Sequence, residues 1–234
     1  MRKVELRYYE AQIKYTKDEI PGQTAAIREQ RSEAARRAHA SIAAIKDVYV
    51  ELFAPVQQLI EDSIIIKEGF KLTFDSSIIE RTFQRDFFES YISQGAAGSF
   101  YSKDKGAVVL EEMRADYDFN NADDAIAFVE KIVSYLERDM RTAQQGRINI
   151  TSQLRKRVEV KALYDYLWTF PYLEPEYSLQ LDGKDLSLLS PGERGTLLLV
   201  FYLLVDKSNN PIIVDQPEEN LVPRYSSWVV TILR

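Results

Sequence analysis

The chain has 234 residues, 45% hydrophobic, 28% charged and 12% aromatic, enough to bury one or two globular cores. It has no cysteine and one histidine, His39, which excludes disulfides, thiolate metal sites and most histidine-based catalytic dyads. The net charge of −6 is uneven: residues 1–46 hold ten Lys/Arg against six Asp/Glu, and the remainder hold 20 against 30. A mildly basic arm therefore precedes an acidic body, and its charge is that of a solvated helix face more than of a nucleic-acid surface. No apolar run reaches the roughly 18–20 residues of a membrane span, and no signal-peptide core opens the chain. The expectation is a cytoplasmic protein with no membrane partner.

Residues 1–62 read as a helical arm, with one helix over 2–19 and a second from Gly22 to about Asp62, broken apart by Pro21. Pro55 is expected to kink or end the second helix. Ala38, Ile42, Ile45, Tyr49, Leu52, Val56 and Leu59 follow alternating four- and three-residue steps, the seam of a coiled coil. Two long helices that open a chain suit a coiled-coil arm entering a globular head; a helical hairpin packed on its own domain fits the same pattern. Lys67–Asp75 alternates as a strand with Phe70, Leu72 and Phe74 on one face. Helices are expected around Glu80–Ile92, Ala122–Glu137 and Ile150–Trp168. The first should stop at the loop Gln94–Ser99, which lacks the GK[ST] ending of a phosphate-binding loop. Tyr177–Leu181 alternates as a strand, closed by a turn at Leu181-Asp182-Gly183-Lys184.

The stretch that carries chemistry is Leu189 to Leu221. Ser190-Pro191-Gly192-Glu193 has the form of a capping box, with Ser before the helix, Pro at its first position and Glu three residues on. The same geometry, with Gly192 permitting close approach, presents backbone N–H groups and the positive end of a helix dipole to a phosphate. Gly195–Val205 is an almost wholly apolar helix. Pro211–Asp215 is a short apolar run ending in an acid, the pattern of a strand buried on both faces of a parallel sheet. Asp215 falls at the carboxyl end of that strand, where such sheets bind ligands and where an Asp can hold Mg²⁺ against nucleotide phosphates.

LSPGE at 189–193 resembles the signature motif of ABC-type ATPases, and IIVDQPEENL at 212–221 resembles their Walker B strand running into the D-loop. The order, spacing and intervening apolar helix are similar to those of SMC/RecF/RecN-like ATPases, and the DQPEEN variant looks most like ATPases found with DNA repair and phage-defence genes. The close match covers Leu181 to Leu221. It implies an α/β fold: a partial P-loop NTPase head over residues 63–234, with a small sheet and packed helices behind the coiled-coil-like arm. It also implies ATP and Mg²⁺ as cofactors of a completed site. Ser190 and Gly192, with Glu193 beside them, would meet the γ-phosphate of ATP held by a facing subunit. Asp215 would be the Walker B acid. Gln216 stands where many such enzymes place the catalytic Glu; glutamine cannot accept a proton but can orient a water, and Glu218 or Glu219 could stand in for it.

The chain departs from the family in several places. It contains no GxxxxGK[ST], Val222 replaces the D-loop Asp, no histidine follows Asp215, and the last residue lies 19 positions beyond that acid. The expectation is a piece of a larger ATPase from a truncated, split or frameshifted gene, or else a degenerate lobe completing a composite site. Its partner would be the missing N-terminal lobe or a second ABC-type head, in a homo- or hetero-oligomer, and it should be inactive alone. The competing readings are a non-enzymatic interaction module and a DNA-binding scaffold using Arg28, Arg31, Arg36, Arg37 and the Arg155–Arg157 cluster.

Overall fold

The computed structural model describes residues 2–62, 72–141 and 146–205. Helix α1 (Arg2–Lys14) passes through a π turn at Tyr15–Glu19 into α2 (Ile20–Asp62). Pro21 therefore does not separate two helices. Its missing N–H and its ring deny a normal partner to the carbonyl four residues back, and the backbone answers with one widened turn in which the Ile20 N–H donates to the Tyr15 carbonyl. Pro55 likewise sits inside α2, which continues to Asp62.

Two compact units make up the chain, residues 1–43 with 79–174 and residues 44–78 with 175–234. The first is built on rings. After strand β1 (Leu72–Glu80), helix α3 (Phe83–Asp86) runs into a π turn at Phe87–Tyr91; α4 (Lys103–Arg114), α5 (Ala122–Glu137) and α6 (Val160–Thr169) follow. Phe83 is 1% exposed and meets Phe87, Phe128, Tyr166 and Tyr172 at ring-centroid distances of 5.2, 5.0, 5.8 and 4.7 Å. The contacts to Phe128 and Tyr172 are edge-to-face and those to Phe87 and Tyr166 stacked, and such ring pairs add about 0.5–1.5 kcal/mol each to the area they bury. Glu80 ties strand to helices: one carboxylate oxygen accepts the Phe83 N–H and the other accepts Arg114 Nη1 at 2.7 Å.

In this unit α2 buries Ser32, Ala35 and His39. His39, the single histidine, donates Nε2–H to the Phe119 carbonyl at 2.9 Å, a structural bond. The expected coiled-coil seam is only partly an inward face. Of its residues, Ile45, Tyr49 and Leu52 are 50%, 41% and 65% exposed; Tyr49 still packs its ring on Tyr177, and Phe53, off the seam, packs with Phe74 and Tyr177.

Strands β1, β2 (Leu173–Leu181) and β3 (Lys184–Asp185) form a small sheet in that order, β2 and β3 antiparallel with Gln180 opposite Asp185. β2 starts four residues earlier than its alternation suggests and includes Pro175. That position tolerates proline because β3 reaches only Gln180 and Leu181, leaving β2 with one neighbour there. The helix expected over Ile150–Trp168 is two elements: a 3₁₀ turn at Ile150–Gln153, then α6 from Val160, with Arg157 between them at φ 70°. Arg155 sets the break, its N–H bonded to the Tyr91 carbonyl and its Nε to the Phe88 carbonyl. Helix α4 is one that the sequence reading lacks. The mixed helical and small-sheet character and the long N-terminal helix agree with expectation. The strand expected at 67–75 is described only from Leu72, and the one at 211–215 lies outside the described residues. No helix among the described residues is long and apolar enough to cross a membrane.

Candidate functional site

The second unit delivers Leu189–Glu193 through a short, strongly determined path. At the tip of the β2–β3 hairpin, Asp182 and Gly183 have φ of 52° and 76°, a two-residue turn with both positions left-handed, for which Asp-Gly is a preferred pair. Leu179 and Leu181 anchor β2 inward at 8% and 3% exposure. Asp185 then accepts the Ser187 N–H and hydroxyl, both at 2.8 Å, and fixes a 3₁₀ turn at Leu186–Leu188. These two bonds hold the Asp185 carboxyl below the usual carboxylate range, the backbone N–H being the larger cause. Leu189 is buried, and helix α7 (Pro191–Val205) begins two residues later.

At its start the capping box is complete. Ser190 N–H donates to Glu193 Oε2 at 2.9 Å, and Glu193 N–H donates to Ser190 Oγ at 3.3 Å. Arg194 reaches back to the Leu186 carbonyl at 3.2 Å and the Leu189 carbonyl at 3.4 Å, clamping the turn onto the helix. Sequence reading gave Arg194 no role, although an Arg four residues after a cap serine is in reach of the carbonyls that precede it. Ser190 itself is exposed. The first turn thus offers a phosphate an accessible serine and a dipole end, and it already holds one anion there, the Glu193 carboxylate, which an incoming phosphate has to displace from the Ser190 N–H. Removing the cap serine should cost α7 about 1 kcal/mol. Urea unfolding of Ser190→Ala should show that loss and Ser190→Asp should not; an unchanged midpoint in Ser190→Ala would contradict the box.

Of the sequence-predicted residues, the structure brings Ser190, Gly192 and Glu193 together in one helical turn. Asp215, Gln216, Glu218 and Glu219 lie outside the described residues, and no cluster of metal-ligating side chains occurs among the described ones. Helix α7 buries Leu197 completely while Leu198 and Tyr202 are 48% and 53% exposed, so it presents apolar surface on more than one face.

The arginines considered for DNA are largely engaged within the protein. Arg36 pairs with Asp123 at 3.1 Å and lies near Glu29 and Glu33; Arg37 pairs with Glu33. Arg155 is held by two carbonyls, as above, and Arg31 stacks on Trp168 with its guanidinium 3.9 Å from the ring centroid. Comparisons with protein-family models, with curated proteins and with solved structures return no match.

Proposed function

We propose that this chain supplies the signature and Walker B portion of a composite ATP-hydrolysis site of the SMC/RecF-like type, completed by a lobe that carries the phosphate-binding loop. The observation that carries the reading is the motif pair, LSPGE at 189–193 at the start of an apolar helix and IIVDQPEEN at 212–220, beginning 19 residues after Glu193. Support comes from the hairpin, turn and capping box that hold Ser190 exposed at the head of α7. In this reading Ser190 and Gly192 donate to the γ-phosphate of a nucleotide on the facing head, Asp215 holds Mg²⁺, and Gln216 orients the attacking water while Glu218 takes up its proton. Hydrolysis needs positioning and charge neutralisation from both lobes, so the chain does no ATP chemistry by itself.

The arm fits this role as one half of a coiled coil. Leu6, Ile13, Ile20 and Ile27 recur every seven residues and are 62%, 54%, 40% and 64% exposed. A helix with a heptad stripe left open gains stability by pairing with another helix. A cytoplasmic machine of DNA repair or phage defence is the setting that the DQPEEN sequence suggests.

The test is ATP-dependent association, by analytical ultracentrifugation, between the full chain and a GxxxxGK[ST]-bearing lobe of an SMC/RecF-type ATPase. Ser190→Asp separates the two jobs of that serine: it keeps the helix cap but sets a carboxylate against the γ-phosphate. Wild type should associate only with ATP and Ser190→Asp should not, at equal thermal stability. Equal association of both would remove Ser190 from the nucleotide interface.

A further inference from the structure

Every residue from 6 to 30, through α1, the π turn and the start of α2, is exposed. Helices take most of their stability from packing an apolar face, and this stretch carries Pro21 and Gly22 near its middle, the two residue types least favoured in a helix interior. An added Cβ at Gly22 would meet nothing within 4 Å. Such a helix is supported by a partner that packs on it.

Four apolar residues of the stretch fall into line across the π turn. There the Ile20 N–H bonds to the Tyr15 carbonyl, which places the two residues one turn apart on the same side. Tyr8 precedes Tyr15 by seven residues and Ile27 follows Ile20 by seven, so Tyr8, Tyr15, Ile20 and Ile27 form one row about the turn. The Tyr15 hydroxyl runs along that row to Gln23 Oε1 at 3.4 Å. The charges divide at the same place. Residues 6–17 hold three Lys/Arg and one Glu, and residues 18–30 hold one Arg and three acids, a net +2 followed by −2.

We propose that two copies of this chain pair antiparallel along this row, with Tyr8 of each opposite Ile27 of the other and Tyr15 opposite Ile20. The row has spacings of seven, five and seven residues, the same read from either end. A two-fold axis through the π turn therefore sets an aromatic ring against an isoleucine at all four positions. The antiparallel sense also lays the basic half of each arm on the acidic half of the other, whereas a parallel pair sets like charge on like. An unrelated helix would need both the matching spacing and the reversed charge; a second copy supplies both. The pairing goes beyond the nucleotide-site reading and needs no nucleotide, so either can fail while the other stands.

Sedimentation velocity on the full chain without nucleotide should show, in the micromolar range, a species of twice the 27.0 kDa chain mass. Lys14→Glu with Lys17→Glu makes both halves of the arm acidic and should weaken the dimer at least about tenfold. Both positions are exposed, so the fold is undisturbed. The chain has no cysteine, so single-cysteine variants report the direction of pairing. A short bismaleimide should join Tyr8→Cys to Ile27→Cys in a mixture of the two. It should join neither to itself, since antiparallel arms hold the two copies of residue 8 about 28 Å apart. A monomer at about 100 µM, a dimer that the charge reversal leaves unchanged, Tyr8→Cys chains joined to one another, or no joining in the mixture overturns the proposal.

Discussion

Phe83→Ala should lower the unfolding free energy by about 3–5 kcal/mol, read as a shift of the urea midpoint at constant slope. The side chain is 1% exposed and, among the described residues, is the only ring in contact with all four of Phe87, Phe128, Tyr166 and Tyr172. Its removal leaves a cavity bounded by aromatic faces that cannot collapse without breaking other contacts. Tyr172 is pinned by its own hydroxyl bond to the Leu167 carbonyl at 3.0 Å, so it cannot swing in to fill the space. Against a total stability of roughly 5–15 kcal/mol this is a large fraction. Leu188→Ala is the control: at 76% exposure it should change stability by no more than about 0.5 kcal/mol. A loss below about 1 kcal/mol for Phe83→Ala would mean that the ring cluster is not the core of this unit.

Gly106→Ala and Gly22→Ala should have opposite signs. Both glycines lie in helices, where alanine is favoured by about 1 kcal/mol. At Gly106 a Cβ would sit 2.5 Å from the Phe100 carbonyl oxygen and 3.0 Å from its carbon. These are backbone atoms beside a buried ring, so they cannot swivel away as a side chain would. The helix α4 must move off that strand of loop, at a cost of about 1–3 kcal/mol that outweighs the propensity gain. At Gly22 a Cβ meets nothing within 4 Å, so alanine should only raise helicity in circular dichroism. A stabilised Gly106→Ala protein would show that α4 and Phe100 are not packed this closely.

What the sequence made legible were elements whose local chemistry is self-sufficient. Helix α5 carries its own start signal, Asn121 accepting the Asp123 N–H, and a strong apolar stripe, so both its ends were readable. The Asp182-Gly183 turn and the Ser190–Glu193 box likewise need no tertiary partner. Helix α4 was not readable because its inward face, Gly106, Leu110 and Met113, includes a glycine, which is there to admit the Phe100 backbone, a neighbour that periodicity does not reveal. The break before α6 is invisible for a similar reason: Arg155 is pulled out of helical geometry by carbonyls that precede it by more than sixty residues. In the candidate site the sequence marked Ser190, Gly192 and Glu193, which share one turn. The competing reading, a DNA surface that includes Arg28 and Arg31, could not foresee that Arg31 is stacked on the Trp168 indole.

Phosphate release from ATP is the direct measure of the composite-site account. The full chain alone should release none above buffer. With a P-loop-bearing lobe added it should turn over, and Asp215→Ala should reduce that turnover at least about a hundredfold, since in this account Asp215 would hold the metal that neutralises the transferring phosphoryl group. Turnover by the chain alone that disappears in Asp215→Ala, or turnover in the mixture that Asp215→Ala leaves unchanged, would contradict it.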